Sequence, residues 1–357
     1  MALANNCKNL LEHSRNLILH GAPGTGKTYL ARQIAEEIVK ENLTDDKEKE
    51  TAAKEKICFV QFHPSYDYTD FVEGLRPVNK EGSKEIGFER RDGIFKTFCK
   101  KALEEDNRNK KFVFIIDEIN RGELSKIFGE LFFSIDPGYR GTKGTVKTQY
   151  QNLIDEDDDF YNGFYVPENV YIIGTMNDID RNVESMDFAF RRRFAFKEIK
   201  ATDTQCMLDN HKGLNGTKPE ETETVIKIQT TQGNKEIKTT VIDRMKNRMN
   251  NLNNAISGID GLSAAYHIGA SYFLKFKLPS DCKNKNENEK KKAENDAFED
   301  LWNYHLEPLL QEYLRGMEDE AGKLNILKAA YKLEKTYNEK GEEVKDNPAP
   351  QARENAE

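Results

Sequence analysis

The chain lacks any run of 18 consecutive apolar residues, which excludes an apolar membrane-spanning helix. Its first 15 residues, MALANNCKNLLEHSR, lack the charged start and apolar centre of a secretory signal. Cysteine is sparse: Cys7, Cys58, Cys99, Cys206 and Cys282 are odd in number and show no C-x-x-C spacing. That argues against a zinc site or a disulfide framework and for reduced thiols in a cytoplasmic protein. Among only six histidines no Ser/His/Asp or Cys/His grouping stands out. Positive charge is also short, with 54 Lys+Arg against 62 Asp+Glu and a net −8. A free nucleic-acid-binding module is usually basic, so DNA contact is expected to be local or made by a partner.

What is present is enough for one large domain or two ordinary ones. The 357 residues are 37% hydrophobic and 32% charged, so a real core must coexist with long polar stretches outside it. Residues 16–20 read as a buried strand, followed by a Gly-rich turn and a helix over 27–40 with Leu30, Ile34 and Ile38 on one face. Residues 42–56 are dominated by charge and read as a solvated connection. Further strands are expected at 57–62, 112–116, 170–175 and 194–199, a hairpin over 78–91, and helices over 94–105, 123–135 and 184–190. This alternation indicates an α/β domain over 1–200 with a doubly wound parallel sheet. A smaller, mainly helical domain is expected over 201–336, with helices over 242–256, 297–315 and 323–335. Polar insertions are expected at about 212–240, a hairpin, and at 283–298, a mobile low-complexity loop; the polar tail 337–357 reads as disordered.

The strongest signal is Gly21-Ala22-Pro23-Gly24-Thr25-Gly26-Lys27-Thr28, a full G-x-x-x-x-G-K-[ST] pattern continued by Tyr29 into the helix. Glycines let successive N–H groups converge on phosphate oxygens, and the helix start adds its partial positive charge. Lys27 is expected to reach the β- and γ-phosphates, and Thr28 to ligate Mg²⁺. About 90 residues on, the apolar strand Phe112–Ile116 delivers Asp117 and Glu118 at its carboxyl end, where ligands sit in open α/β sheets. Asp117 is expected to hold the magnesium shell and Glu118 to deprotonate the attacking water. Asn177, just past the strand 170–175, is the candidate for contacting that water and the γ-phosphate. Arg191 and Arg192, in the run Phe190-Arg191-Arg192-Arg193-Phe194, are candidates for arginines supplied to a neighbouring subunit's site; Arg193 reads as structural.

These pieces resemble the McrB family of AAA+ proteins, the motor subunits of modification-dependent restriction systems, in the dynein-related and MoxR-like branch. The resemblance rests on GAPGTGKTYLA (21–31), FHPSYDYTDFVEGLRP (62–77), IIDEINRGELSKIFGEL (115–131) and GTMNDIDRNVESMDFAFRRRFAF (174–196). Weaker matches are IGASYFL (268–274) and LWNYHLEPLLQEYLRG (301–316). It implies an AAA+ α/β core with a helical lid, a hexameric ring of identical subunits, Mg²⁺ with GTP or ATP as substrate, a preference for GTP, and a McrC-like nuclease subunit as partner. DNA would be met through that partner or the ring pore. The family's Asn-Thr-Ala-Asp element falls on Asn177-Asp178-Ile179-Asp180, matching at its two ends only. A guanine-reading role for Asn177 and Asp180 is set aside, because Asn177 lies beside the magnesium-binding strand. The family's usual DNA-reading domain finds no room in the roughly 15 residues before the first strand. The expectation is a motor-only subunit or a piece of a longer product. The alternatives are a protein-remodelling ATPase and a non-hydrolysing nucleotide-dependent scaffold; Glu118 argues against the scaffold. The triplet Glu198-Ile199-Lys200 is set aside as a nuclease signature, and His63, His267 and His305 read first as packing or capping residues.

Overall fold

A computed structural model describes residues 2–79, 86–179, 188–209, 211, 214, 224–230 and 233–333. Asp180 and Arg181, residues 184–187 of the helix expected over 184–190, residues 212, 213, 215–223, 231 and 232 of the insertion, and the tail 337–357 lie outside the described residues. The backbone divides into two compact units. One holds the chain up to Gly21 together with Lys27–Glu198; the other holds Ala22–Gly26 and the chain from Ile199 on.

The first unit opens with α1 (Ala2–Ser14), β1 (Asn16–Gly21) and α2 (Lys27–Val39). Leu30, Ile34 and Ile38 of α2 are buried at four-residue spacing, and Ala31 and Ala35 are wholly buried between them, the narrow face that lets a helix lie close to a sheet. Then come α3 (Asp46–Lys56), β2 (Ile57–Gln61), α4 (Tyr68–Phe71), the hairpin β3 (Glu73–Asn79) and β4 (Ile86–Asp92), and α5 (Ile94–Leu103). They are followed by β5 (Phe112–Asp117), α6 (Leu124–Phe128), α7 (Leu131–Ser134), β6 (Val170–Asn177), α8 (Phe188–Arg191) and β7 (Ala195–Glu198).

β2, β5, β6, β1 and β7 form one five-stranded sheet in that order, every pairing parallel. The central strands are apolar on both faces, as a sheet covered on both sides requires. α2 packs against β5 and β6. An aromatic cluster of Phe62, Phe71, Phe95, Phe114, Phe128 and Phe190 belongs to the same core, with Phe71 stacked on Phe95 at 4.7 Å. The β3–β4 hairpin is tied down by buried charge: Lys96 donates to Glu73 at 2.6 Å, both side chains fully buried. Arg90 joins Glu73, Asp92 and Asp158 in the same network.

Several sequence expectations need correction. Residues 46–56 are a helix, not a connection: Asp45 accepts from the N–H groups of Lys47 and Glu48, and only Ala52 is buried. The helix expected over 123–135 is two short ones, broken at Gly129, whose φ of +49° leaves the helical region. The hairpin begins at Glu73, earlier than expected.

The second unit contains the hairpin β8 (Thr224–Thr230) and β9 (Gly233–Thr239), then α9 (Val241–Ser257), α10 (Ala270–Phe273), α11 (Glu287–Leu301), α12 (Glu307–Leu314) and α13 (Glu320–Lys332). α9 and α13 pack together over Met245, Met249, Leu252, Leu327 and Tyr331, all buried. The stretch 287–298, expected as mobile loop, is the body of α11. Asn286 and Glu289 close a reciprocal capping box at its start, enough to begin a helix with little apolar surface. The single helix expected over 297–315 is interrupted by a π turn at Trp302–Leu306. Pro308 has no N–H to continue the ladder, and across the same turn the buried Trp302 Nε1 donates to the Glu307 carboxylate at 2.6 Å.

Candidate functional site

In the parallel sheet, β1, β5 and β6 all end at the same edge, so their carboxyl-terminal residues gather there. Register places Gly21 opposite Asn177, and Ile116 opposite Gly174. Asp117, Glu118, Thr175 and Asn177 therefore meet as a consequence of strand pairing.

Asp117 is the hub. Its Oδ1 accepts from Thr28 Oγ1 at 2.7 Å and from Thr175 Oγ1 at 2.5 Å. Thr28 rides on the first turn of α2, so α2 and β5 are joined by this bond. A hydroxyl oxygen and a carboxylate oxygen that close together are hard donors of the kind Mg²⁺ takes. Lys27, the first residue of α2, is buried, and its Nζ donates to Gly21 O at 3.1 Å.

Glu118 adopts the left-handed conformation, φ +52° and ψ +45°. For a residue with a Cβ this costs roughly 1–2 kcal/mol and persists where the surroundings enforce it. They do so here: the Glu118 N–H donates to Thr175 Oγ1 at 3.3 Å, and Asn177 Nδ2 donates to both carboxylate oxygens, at 3.0 and 3.2 Å. Arg121 Nε lies 3.3 Å from Glu118 Oε2. Asn120, nearly buried, donates to Asn177 O at 3.3 Å.

Sequence reasoning singled out Thr28, Asp117, Glu118 and Asn177, and the structure brings them together. It missed Thr175, Asn120 and Arg121. Thr175 was within reach, because period two on β6 puts it on the same face as Asn177. It also missed His20 and Asp178, which flank the cluster: His20 Nδ1 lies 3.1 Å from both Asp178 carboxylate oxygens, and the Asp178 N–H donates to Gly21 O at 3.3 Å.

The loop Ala22–Gly26 belongs to the second unit by its packing. Gly24 and Gly26 have φ of +74° and +79°, values open to glycine and strained for other residues. They turn the backbone between Ala22, Pro23 and Thr25 into the curl that a phosphate nest needs. Tyr29, on α2, is 63% exposed.

The three arginines separate as their neighbours suggest. Arg193 is buried, donates to Ala189 O and lies 3.8 Å from Asp136. Arg191 and Arg192 are exposed; the Arg191 guanidinium rests 4.7 Å from the Phe196 ring centre. Among the described residues neither bonds to Asp117 or Glu118. His63 is exposed and set edge-on to Tyr66. His267 Nε2 meets Ser257 Oγ at 2.7 Å, a packing role.

Comparison with known proteins fits this geometry. Residues 16–194 match the AAA domain of the dynein-related subfamily, and residues 244–322 match the McrB α-helical lid domain. The chain is 38% identical over 261 residues to the type IV methyl-directed restriction enzyme EcoKMcrB subunit of Escherichia coli K12, covering 72% of this chain and 47% of that protein. It is 29% identical over 231 residues to the type II restriction enzyme BsuMI component YdiS of Bacillus subtilis 168, covering 56% of this chain and 63% of that one. The chain thus spans about half to two thirds of the length of these relatives. With the phosphate loop, the Asp-Glu strand end and the helical lid each on a matched segment, this chain belongs to the dynein-related subfamily of AAA domain proteins and carries an McrB-type lid.

Proposed function

We propose that the protein hydrolyses a nucleoside triphosphate with Mg²⁺ and serves as the motor subunit of a restriction system. The observation that carries this is the paired arrangement at the sheet edge. Thr28 and Thr175 converge on Asp117, while Asn177 fixes the carboxylate of Glu118. One acid is thereby set among hydroxyls and the other is held by an amide.

The two acids then divide the work. Asp117 and Thr28 hold Mg²⁺, which supplies positive charge to the phosphate oxygens. Lys27 exchanges its Gly21 carbonyl for the β- and γ-phosphates. Glu118 takes a proton from a water as the water oxygen bonds to the γ-phosphorus. The bond from that phosphorus to the β,γ-bridging oxygen breaks, leaving a nucleoside diphosphate and inorganic phosphate. Asn177 orients Glu118 and the water. Arg191 and Arg192, exposed and unbonded to their own cluster, complete the site of an adjacent subunit, which makes a closed ring, a hexamer by resemblance, the active form.

Both named relatives are restriction-enzyme components, which supports a nuclease subunit of the McrC kind as partner and DNA met through that subunit or the ring. A cytoplasmic location follows from the same role. The test is Glu118→Gln. Turnover should fall by about 10³-fold or more while the dissociation constant for nucleotide stays within about twofold. Wild-type turnover in that variant would remove Glu118 from the role of base. Run side by side, GTP should be turned over faster than ATP; a clear ATP preference would favour a protein-remodelling ATPase.

A further inference from the structure

A nest of N–H groups has a reverse side. When successive amides turn inward to meet an anion, their carbonyls turn outward, and a carbonyl out of water needs a donor. In the second unit three successive carbonyls of the glycine-rich loop find donors. Gly269 N–H donates to Pro23 O at 3.1 Å, and Ser271 N–H to Gly24 O at 3.0 Å. Thr204 Oγ1 donates to Thr25 O at 2.6 Å. Thr204 and Thr25 are both buried.

The donors are themselves fixed. Asn253 of α9, 4% exposed, grips the backbone of Ile268 from both sides. Its Nδ2 donates to Ile268 O at 3.0 Å, and its Oδ1 accepts from Ile268 N–H at 2.7 Å. Gly269 follows directly. A Cβ at Gly269 would lie 2.1 Å from Gly24 C and 2.3 Å from Thr25 N, so only glycine permits the approach. A chain of contacts therefore runs from helix α9 through Ile268 to the outer side of the loop.

We propose that Asn253, Gly269, Ser271 and Thr204 are positioning residues for nucleoside triphosphate binding, holding the loop carbonyls outward so that its N–H groups face the phosphates. None of the four needs to touch the nucleotide. The proposal rests on the reading above that Gly21–Thr28 receives the phosphates, and it adds that part of the affinity is set from behind the loop by the helical unit.

The test uses the full chain and a fluorescent, nonhydrolysable GTP analogue with Mg²⁺, repeated with the ATP analogue. Thr204→Val keeps the side-chain shape and removes one donor; it should weaken binding about fivefold, the worth of one hydrogen bond of ordinary strength. Thr204→Ser restores the hydroxyl and should return affinity to within about twofold of wild type. Gly269→Ala should weaken binding further, because the added methyl meets backbone that cannot yield as a side chain does. Thermal unfolding without nucleotide separates a structural role, since a merely looser helical unit would lower Tm without changing affinity. Unchanged affinity in Thr204→Val overturns the proposal, and so does a Thr204→Ser variant as weak as the valine. Lys27→Ala is the control for the reading beneath it. If that variant binds the analogue like wild type, the loop is not the phosphate site; if it loses binding while Thr204→Val does not, the loop stands and the outer frame falls.

Discussion

The sheet-bearing unit and the helical unit use different parts of the chain to do comparable work. At the strand ends the polar cluster is made of side chains: Thr28 from the first turn of α2, Asp117 and Glu118 from the end of β5, and Thr175 and Asn177 from β6. In the helical unit two of the three described bonds to the carbonyls of Pro23, Gly24 and Thr25 come from main-chain N–H groups, and one of their donors, Gly269, sits where a Cβ would meet the loop backbone. The difference follows from the task proposed for each. Chemistry on a phosphorus needs carboxylates, hydroxyls and guanidiniums, which only side chains provide. Holding a backbone in shape needs donors at fixed spacing, which the backbone itself provides.

If that contrast is right, removing side chains from the first unit should destroy turnover and spare the fold. The largest such effect is expected for Arg191→Ala combined with Arg192→Ala. Both side chains are exposed and outside their own cluster, so the pair should lose about 10³-fold or more in turnover. Nucleotide binding by the isolated monomer should be unaffected. Turnover measured against protein concentration, together with monomer binding, checks this. Loss of monomer binding would assign the arginines to their own subunit's site.

A smaller effect is expected for Asp117→Asn. The amide oxygen still accepts from Thr28 and Thr175, so Tm should barely change. The charge proposed to hold Mg²⁺ is gone, so turnover should fall by about 10²-fold and the magnesium concentration for half-maximal activity should rise by about tenfold or more. A magnesium titration of both proteins reads this directly. An unchanged magnesium requirement would leave Asp117 a purely structural hub and weaken the contrast between the units.

The same contrast explains what was legible in the sequence. The phosphate loop is contiguous, and Asp117 and Glu118 follow an unbroken apolar strand, so residue type and order suffice to find them. Asn177 was legible because it ends a strand. Thr175 needed only the two-residue period of β6. Helix α3 and the part of α11 before Ala297 were hidden because periodic burial was the signal sought, and they bury only Ala52 and Ala293. Ion pairs such as Lys54–Glu50 and end caps from Asp45 and Asn286 support them instead. The outer frame of the loop was legible only as the weaker family match IGASYFL (268–274), which gave no role to its residues, since every residue but proline carries an N–H. Gly269 alone is marked by its residue type, and it is one glycine among 23.

The smallest expected effect belongs to the helical unit, where a side chain does serve the backbone and carries a titratable group. His211 is buried, and its Nε2 lies 2.6 Å from Phe276 O. A carbonyl partner requires the proton on that nitrogen, which neutral imidazole supplies. Burial holds the His211 pKa below its ordinary value, and the bond to the Phe276 carbonyl offsets this only in part. The unfolded chain therefore takes up a proton at this site at higher pH than the folded one. The stability that neutral His211 allows is complete above the ordinary histidine pKa and is lost as pH falls below it, towards the depressed folded value. His211→Gln keeps an N–H donor and removes the titration. Between pH 7.5 and 5.5 the wild-type Tm should drop a few degrees more than that of the glutamine variant. Parallel slopes would mean that His211 is protonated as readily in the folded unit as in the unfolded chain, and that the helical unit is open to water where the Phe276 carbonyl meets it.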